Sequence, residues 1–441
     1  MSRPTPVPTT SAPVARSRVR LGPSFSLFWF GEGVSLLGTA TTSVLLPLLA
    51  VTELHAGPVW MGMLTAASWL PWLVLGLPAG AWLDRSDPRR VMIIADLVAA
   101  GTLVSVPIVW ALGALSLVQL LVVALVGGTC TVFFRTGYVK LLPQIVPDAG
   151  LETANARVFG TESATQIAGP GVAGLVAQLA SAATGVVGSV VGYAVSALCL
   201  ARIRVPRQSS QPADDVGDER LRTRIAEGVH VVLEDRNLRV LMIIGGVSNF
   251  GLTGYAALLV LFLVGDLGLA EIQLGFVMMC GGVGGLLGAL VAPWLGRRLG
   301  TGRASTALLV VAGPAALLVG APARTDQAYL TALGLFLVGA AVVGGNVIRG
   351  AWRQRYVPAV LMGRVMTTMQ VVNYGTMPLA GLAAAVLGSR WGVQPAIVAL
   401  AGVHALGCLS ILGTRFGRAA DLPTWRPRPN PRVGVTGRGA E

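Results

Sequence analysis

The chain has 441 residues, 54% hydrophobic and only 12% charged, against about 25% charge in ordinary soluble domains. A surface this poor in charge needs lipid as part of its solvent, which excludes a soluble globular protein. The net charge of +13 is spread between apolar runs, which speaks for membrane topology and against nucleic-acid binding. Four cysteines, Cys130, Cys199, Cys280 and Cys408, stand singly inside apolar runs; neither a disulfide framework nor a metal centre is expected.

Residues 1–24 are basic and rich in Pro, Ser and Thr, lack a cleavable signal, and are expected to be disordered. Six apolar runs follow, near 26–51, 59–83, 91–112, 117–139, 154–180 and 182–203. Most are close to the ~20 residues with which a helix crosses a bilayer. They make an N-terminal half, 25–203. Residues 204–238 form a polar loop. Its end carries Leu221, Ile225, Val229, Val232 and Leu233 at helical spacing, which predicts a short amphipathic helix on the membrane surface. Six further runs, near 239–264, 271–296, 304–322, 328–350, 363–388 and 394–414, make the C-terminal half, 239–414. Residues 415–441 are basic and rich in Pro and Gly, and a disordered tail is expected there. The fold class is therefore an all-α membrane protein with twelve transmembrane helices in two six-helix halves.

An even number of spans puts both termini on one side. All but two of the 33 Lys and Arg residues fall on that side; Arg324 and Arg390 are the exceptions. The positive-inside rule makes that side cytoplasmic and the location a cell membrane. The halves also repeat weakly. Val146-Pro147 leads to Gly169-Pro170 and Gly174, and Val357-Pro358 leads to Met377-Pro378 and Gly381. Parallel repeats of this kind are the plan of a large transporter class.

Ionisable residues inside spans cost ~2.5–3.5 kcal/mol on insertion scales, so each needs a reason. The N-terminal half holds Glu32, Asp96, Arg135 and Glu162, all in the third of their span nearest the termini. Asp96 and Arg135 lie at equal depth in consecutive spans, which predicts a salt bridge between them. Glu32 and Glu162 have no obvious partner. One of them can share Arg135; the other is then a candidate proton carrier. In the C-terminal half, Arg349 lies at the inner end of its span and His404 midway along the last, where packing is expected. Asn249, Tyr255, Asn346, Gln370, Asn373 and Tyr374 are uncharged polar candidates for a substrate cavity, and Trp69, too deep to be an interface anchor, joins them. Glycine clusters such as Gly281, Gly285 and Gly288 read as close helix packing; none forms a phosphate loop, so no ATPase engine is present.

Between the second and third spans the chain reads GAWLDRSDPRR (80–90). With the six-plus-six plan and the long central loop, this resembles the major facilitator superfamily, whose signature at this place is Gly, three residues, Asp-Arg and a basic pair. Gly80, Asp84, Arg85, Arg89 and Arg90 fit it; Asp87 stands where a second glycine is usual. Together with LLPQIVPDAGLETANA (141–156), the stretch is similar to the branch of drug:proton antiporters containing macrolide-efflux and siderophore-export proteins. Gly80 would let a neighbouring helix approach closely. The resemblance implies that Asp84 locks the inner gate against the start of the eleventh span, near Gly363. It also implies a secondary active transporter, not an enzyme. The expected function is proton-coupled export of an amphipathic small molecule by alternating access. The expected partners are that substrate, protons and the bilayer; the protein is expected to be a monomer and to need no cofactor. A lipid or lysophospholipid translocator, or a non-transporting membrane scaffold on the same fold, is the alternative.

Overall fold

A computed structural model describes residues 21–76, 78–204 and 229–423. The side chains of Ala81, Asp84, Ala359 and Val360 are not described. Six spans build the N-terminal half. The first four spans are Gly22–Thr52, Pro58–Leu75 with its continuation Pro78–Asp84, Pro88–Ala111 and Leu117–Ile145. Leu151–Leu179 and Ala182–Arg202 complete it. The C-terminal half comprises Arg236–Leu261, extended by a π turn Phe262–Asp266, then Glu271–Leu299, Thr301–Leu317, Ala328–Tyr356, Ala359–Trp391 and Val393–Leu409.

Eleven of the described helices are long and apolar enough to cross a membrane by length and composition. The fifth, Leu151–Leu179, is 29 residues long but too polar to qualify, carrying Glu152, Asn155, Arg157, Glu162 and Gln166. It is nonetheless packed among the others, against the first and eighth spans. Six of its residues are buried, and Glu152, Arg157 and Gln166 are exposed.

Local chemistry sets the helix ends. Asp87 caps the third span through its carboxylate, which accepts from the Arg89 amide at 3.0 Å, and Pro88 supplies a first-turn residue with no amide to satisfy. The residue that departs from the family motif is thus a helix cap. Ser116, Ser181 and Asp235 cap the fourth, sixth and seventh spans in the same way. The second span stops at Leu75, and Pro78, lacking an amide, opens a separate seven-residue helix. The fifth span runs through Pro170 without a break.

The two halves pack alike. In the first, span one packs on spans five and six, span two on span four, and span three on spans four and six. Adding six to each number gives the packing of the second half. The halves meet through spans two and eleven and through spans five and eight. At the face away from the termini these contacts are backbone-close. A methyl group on Gly381 would lie 2.6 Å from the Gly62 carbonyl oxygen, and one on Gly275 would lie 2.7 Å from that of Pro170. Small residues permit this approach, which gains van der Waals contact where lipid offers no hydrophobic gain. Towards the terminus-bearing face the halves part. Gly80, Gly160 and Gly363 have nothing within 4 Å of where a side chain would begin. Between the fifth span (Phe159, Gly160, Ser163, Ile167) and Leu286 of the eighth lies a space of about 440 Å³. The close approach expected at Gly80 is therefore absent here, because the halves are separated at that end; the Gly80 carbonyl instead accepts from the Lys140 ammonium at 3.0 Å.

Two terminal expectations change. The stretch 415–423 is ordered, not a free tail. Asp421 accepts from the backbone amide of Thr301 at 2.9 Å, and the Ala420 carbonyl accepts from those of Gly302 and Arg303. The segment satisfies amide groups that the start of the ninth span leaves open. The indole N–H of Trp352 donates to the Pro423 carbonyl at 2.7 Å; a buried indole needs such a partner. Of the expected surface helix, Leu221 and Ile225 lie outside the described residues. Residues 229–234 are helical; Val232 is fully buried in the C-terminal half, while Val229 and Leu233 are exposed.

Candidate functional site

The ionisable residues of the N-terminal half converge. Glu32 of the first span, Asp96 of the third and Arg135 of the fourth line one cavity of about 60 Å³, with Ser35, Thr39, Cys130 and Tyr193 among its other walls. Glu32 is 4% exposed and Asp96 3%. One oxygen of each, Glu32 Oε2 and Asp96 Oδ2, is buried without a hydrogen-bond partner. Such atoms are rare in folded proteins and each needs an explanation. Arg135, Asp96 and Glu162 all lie within electrostatic reach of Glu32.

The expected Asp96–Arg135 salt bridge does not form. Arg135 pairs instead with Glu162, its Nη1 donating to Oε2 at 3.1 Å and its Nη2 to Oε1. The reason is direction around the helix axis, which depth alone does not give. Asp96 sits with Ala95, Ala99 and Leu103 on the buried face of the third span, which packs on the sixth, and Ser196 of the sixth span is its hydrogen-bonding neighbour. Arg135 leaves the fourth span towards the fifth. Two parallel hydrogen bonds make the Arg135–Glu162 pair a fork. Of the two candidate carriers, Glu162 thus holds the cation and Glu32 does not. Its neighbours Tyr138 and Asn155 tie the same two helices, hydroxyl to amide oxygen at 2.7 Å.

The motif residues spread over several jobs. Arg89 reaches the end of the sixth span, where its Nε donates to the Leu200 carbonyl at 2.7 Å and its Nη2 to that of Ala201. These are helix-end carbonyls at the negative pole of the helix dipole. Arg90 makes an exposed pair with Asp87 at 3.4 Å, an arrangement of little energetic weight. Arg85 is exposed at the helix end. The Asp84 side chain, on which the gate rests, lies outside the described side chains.

The expected substrate-cavity residues are not all brought together. Tyr255 is 2% exposed and sits edge-on to His404, 6.4 Å between ring centres, inside the packed seam of spans seven and twelve. It does not line a cavity; the glycines around it, Gly251 and Gly254, let span twelve come so close that the ring is enclosed. His404 is fully buried and bonded to Ser248. Asn346 accepts from Arg349 at 3.0 Å. Gln370 is exposed, while Asn249 and Asn373 are half-buried; Asn373 Oδ1 has no hydrogen-bond partner. Trp69 does lie at the boundary of the halves. With Trp72 it packs on Tyr374 of the eleventh span, ring centres 5.7 and 4.9 Å apart. Tyr374 is within electrostatic reach of Arg135, so this aromatic cluster adjoins the ion pair. The sequence reading missed Tyr193 and Cys130 as cavity walls; a tyrosine inside an apolar sixth span was the available signal.

Residues 28–380 match the family model described as Major Facilitator Superfamily. The chain belongs to that superfamily. Its relatives within the superfamily include the multidrug efflux pump Tap of Mycolicibacterium fortuitum, 28% identical over 82% of this chain and 88% of Tap. Macrolide efflux protein A of Streptococcus pyogenes is 22% identical over 84% of this chain and 90% of that protein. Among solved structures, the nucleoside transporter NupG superposes with a TM-score of 0.70 at 14% identity, covering 89% of this chain and 99% of NupG. The superfamily member described here is thus a multi-pass membrane transporter of small molecules, related in sequence to drug efflux pumps.

Proposed function

We propose that the protein exports an amphipathic small molecule in exchange for protons, by rocking its two halves around the space between them. The observation that carries this reading is the N-terminal cavity. An acid buried in hydrocarbon is costly as an ion, yet two acids line this space with one oxygen each unpartnered, and the nearest cation is engaged by a third acid. A group placed so can take up a proton from one side and give it up on the other. Glu32 is the coupling residue in this reading, and the Arg135–Glu162 fork is the element that responds to its charge.

The closed contacts at Gly62–Gly381 and Gly174–Gly275, and the separation towards the other face, support a state open on the terminus-bearing side. With that side cytoplasmic, this is the state that collects substrate from the cell. Asp84 then serves the gate that closes when spans two and eleven come together at that end. The efflux relatives support drug-like substrates, and the aromatic cluster of Trp69, Trp72 and Tyr374 supports an apolar, ring-bearing one. The test is efflux of a fluorescent amphipathic cation from proteoliposomes under an imposed pH gradient. Efflux that collapses with the gradient, and is lost in Glu32→Gln but kept in a protein with a neutral substitution outside the cavity, supports the reading. Gradient-driven efflux untouched by Glu32→Gln overturns the assignment of Glu32.

A further inference from the structure

We propose that Arg349 and Arg353 of the tenth span form a binding site for a phosphate-class oxyanion, opening on the terminus-bearing face. The end of that span reads NVIRGAWRQRY (346–356). Asn346, Arg349 and Arg353 recur at three- and four-residue steps, so they share one side of the helix. Ile348, Trp352 and Tyr356 share the neighbouring side, are buried, and anchor the helix in the C-terminal half. The arginine stripe is therefore held in a fixed orientation by its apolar neighbour.

The two arginines are half-buried, and Arg353 lies within electrostatic reach of Arg349; the other titratable group acting on Arg349 is Cys408 of the twelfth span. Neither arginine has a carboxylate partner among the described residues. Arg349 Nη1 donates to Ser305 Oγ at 3.3 Å and its Nη2 to Asn346 Oδ1 at 3.0 Å, both neutral acceptors. Arg353 Nε is buried with no hydrogen-bond partner at all. Gly345 leaves the space that the Arg349 head fills, since a side chain there would begin 2.7 Å from Nη1. Arginine stays charged under all cellular conditions and offers five donors in a plane. Two such groups one helical turn apart, with donors left over and no counter-charge among the described residues, match a tetrahedral oxyanion taken by fork-like hydrogen bonds. Arg353 is three residues from the helix end and Arg349 seven, so the entry is from the face where phospholipid headgroups and soluble phosphates both occur.

This site does not depend on the transport reading, and the experiment keeps them apart by measuring binding without transport. The full-length protein is melted in detergent with inorganic phosphate against chloride at equal ionic strength. Separately, it is melted in nanodiscs of phosphatidylglycerol against phosphatidylcholine. The expected result is a rise in Tm of roughly 3 °C at saturating ligand. The rise should be lost in Arg349→Gln, at least halved in Arg353→Gln, and kept in Arg355→Gln, whose exposed side chain bonds its own helix at the Ala351 carbonyl. Where Arg349→Gln does not fold, Arg353→Gln carries the test. A response to phosphate identifies a soluble anion, and a response to phosphatidylglycerol alone identifies a lipid headgroup. No rise in the wild type with either probe, or an undiminished rise in both glutamine variants, overturns the proposal.

Discussion

The two halves share one packing plan and carry opposite charge at matching places. The space among spans one, three, four and six holds Glu32, Asp96, Arg135 and Tyr193. The matching spans seven, nine, ten and twelve hold Ser248 bonded to His404 and Ser305 bonded to Arg349. The N-terminal space has two acids and one cation, and that cation is paired to a third acid, Glu162 of the fifth span; in the C-terminal half, among the described residues, Arg349 has no acid in ion-pair contact. A repeat in backbone thus does not impose a repeat in chemistry. Helix packing follows small residues and apolar faces, which the halves share, whereas ionisable side chains are few and free to differ. In the proposed reading the first half carries the proton coupling, and the second holds the proposed anion.

The sharpest way to break this comparison is to replace one buried titratable side chain in each setting. Glu32→Gln is expected to lower gradient-driven efflux at least tenfold, the scale of a lost proton-transfer group. His404→Gln, in the matching half, should leave the pH dependence of efflux in place and change only stability. Equal pH profiles for the two variants would erase the distinction between the halves. Next in size is the closed contact that both halves share. Gly381→Leu places a side chain against the Gly62 backbone, and overpacking of this kind costs ~1–3 kcal/mol. The expected outcome is a shift towards the state open on the opposite face, read as increased labelling of a cysteine placed at Thr65.

The ion pair comes third. Arg135→Gln leaves Glu162 without its fork and is expected to cost about 2 kcal/mol, below the range for a fully buried pair because the Arg135 side chain is 33% exposed. The exchange Arg135→Glu with Glu162→Arg should recover more folding stability than either single change, whereas exchanging Arg135 with Asp96 should recover none. Recovery by the Asp96 exchange would restore the pairing expected from depth alone. Smaller still, Asp421→Ala removes an amide acceptor at the start of the ninth span and should cost ~1 kcal/mol by thermal melting. Gly80→Ala is expected to change the stability of this state by less than ~0.5 kcal/mol, since nothing stands within reach of the added methyl. A larger loss would mean that the halves already meet at that end.

Much of this molecule is legible along the chain. The order of the long helices depends on the length and order of apolar runs, which are one-dimensional properties. The polar fifth span was legible too, because its flanks and length place it even though composition alone does not. The candidate acids were found for the same reason: a charge within an apolar run stands out wherever it points. What could not be read was direction around each helix. Asp96 and Arg135 share a depth, yet helix packing turns one towards the sixth span and the other towards the fifth. Tyr255 reads as polar, yet Gly251 and Gly254 bring the twelfth span over it. Residues 415–423 read as a loose tail until the open amides of a distant helix give them partners. The sequence by itself determined the order of the long helices and which residues must be explained. Only the tertiary structure decided which of those residues face one another, because partnership depends on the rotation and spacing of packed helices, set by many small contacts spread over the chain.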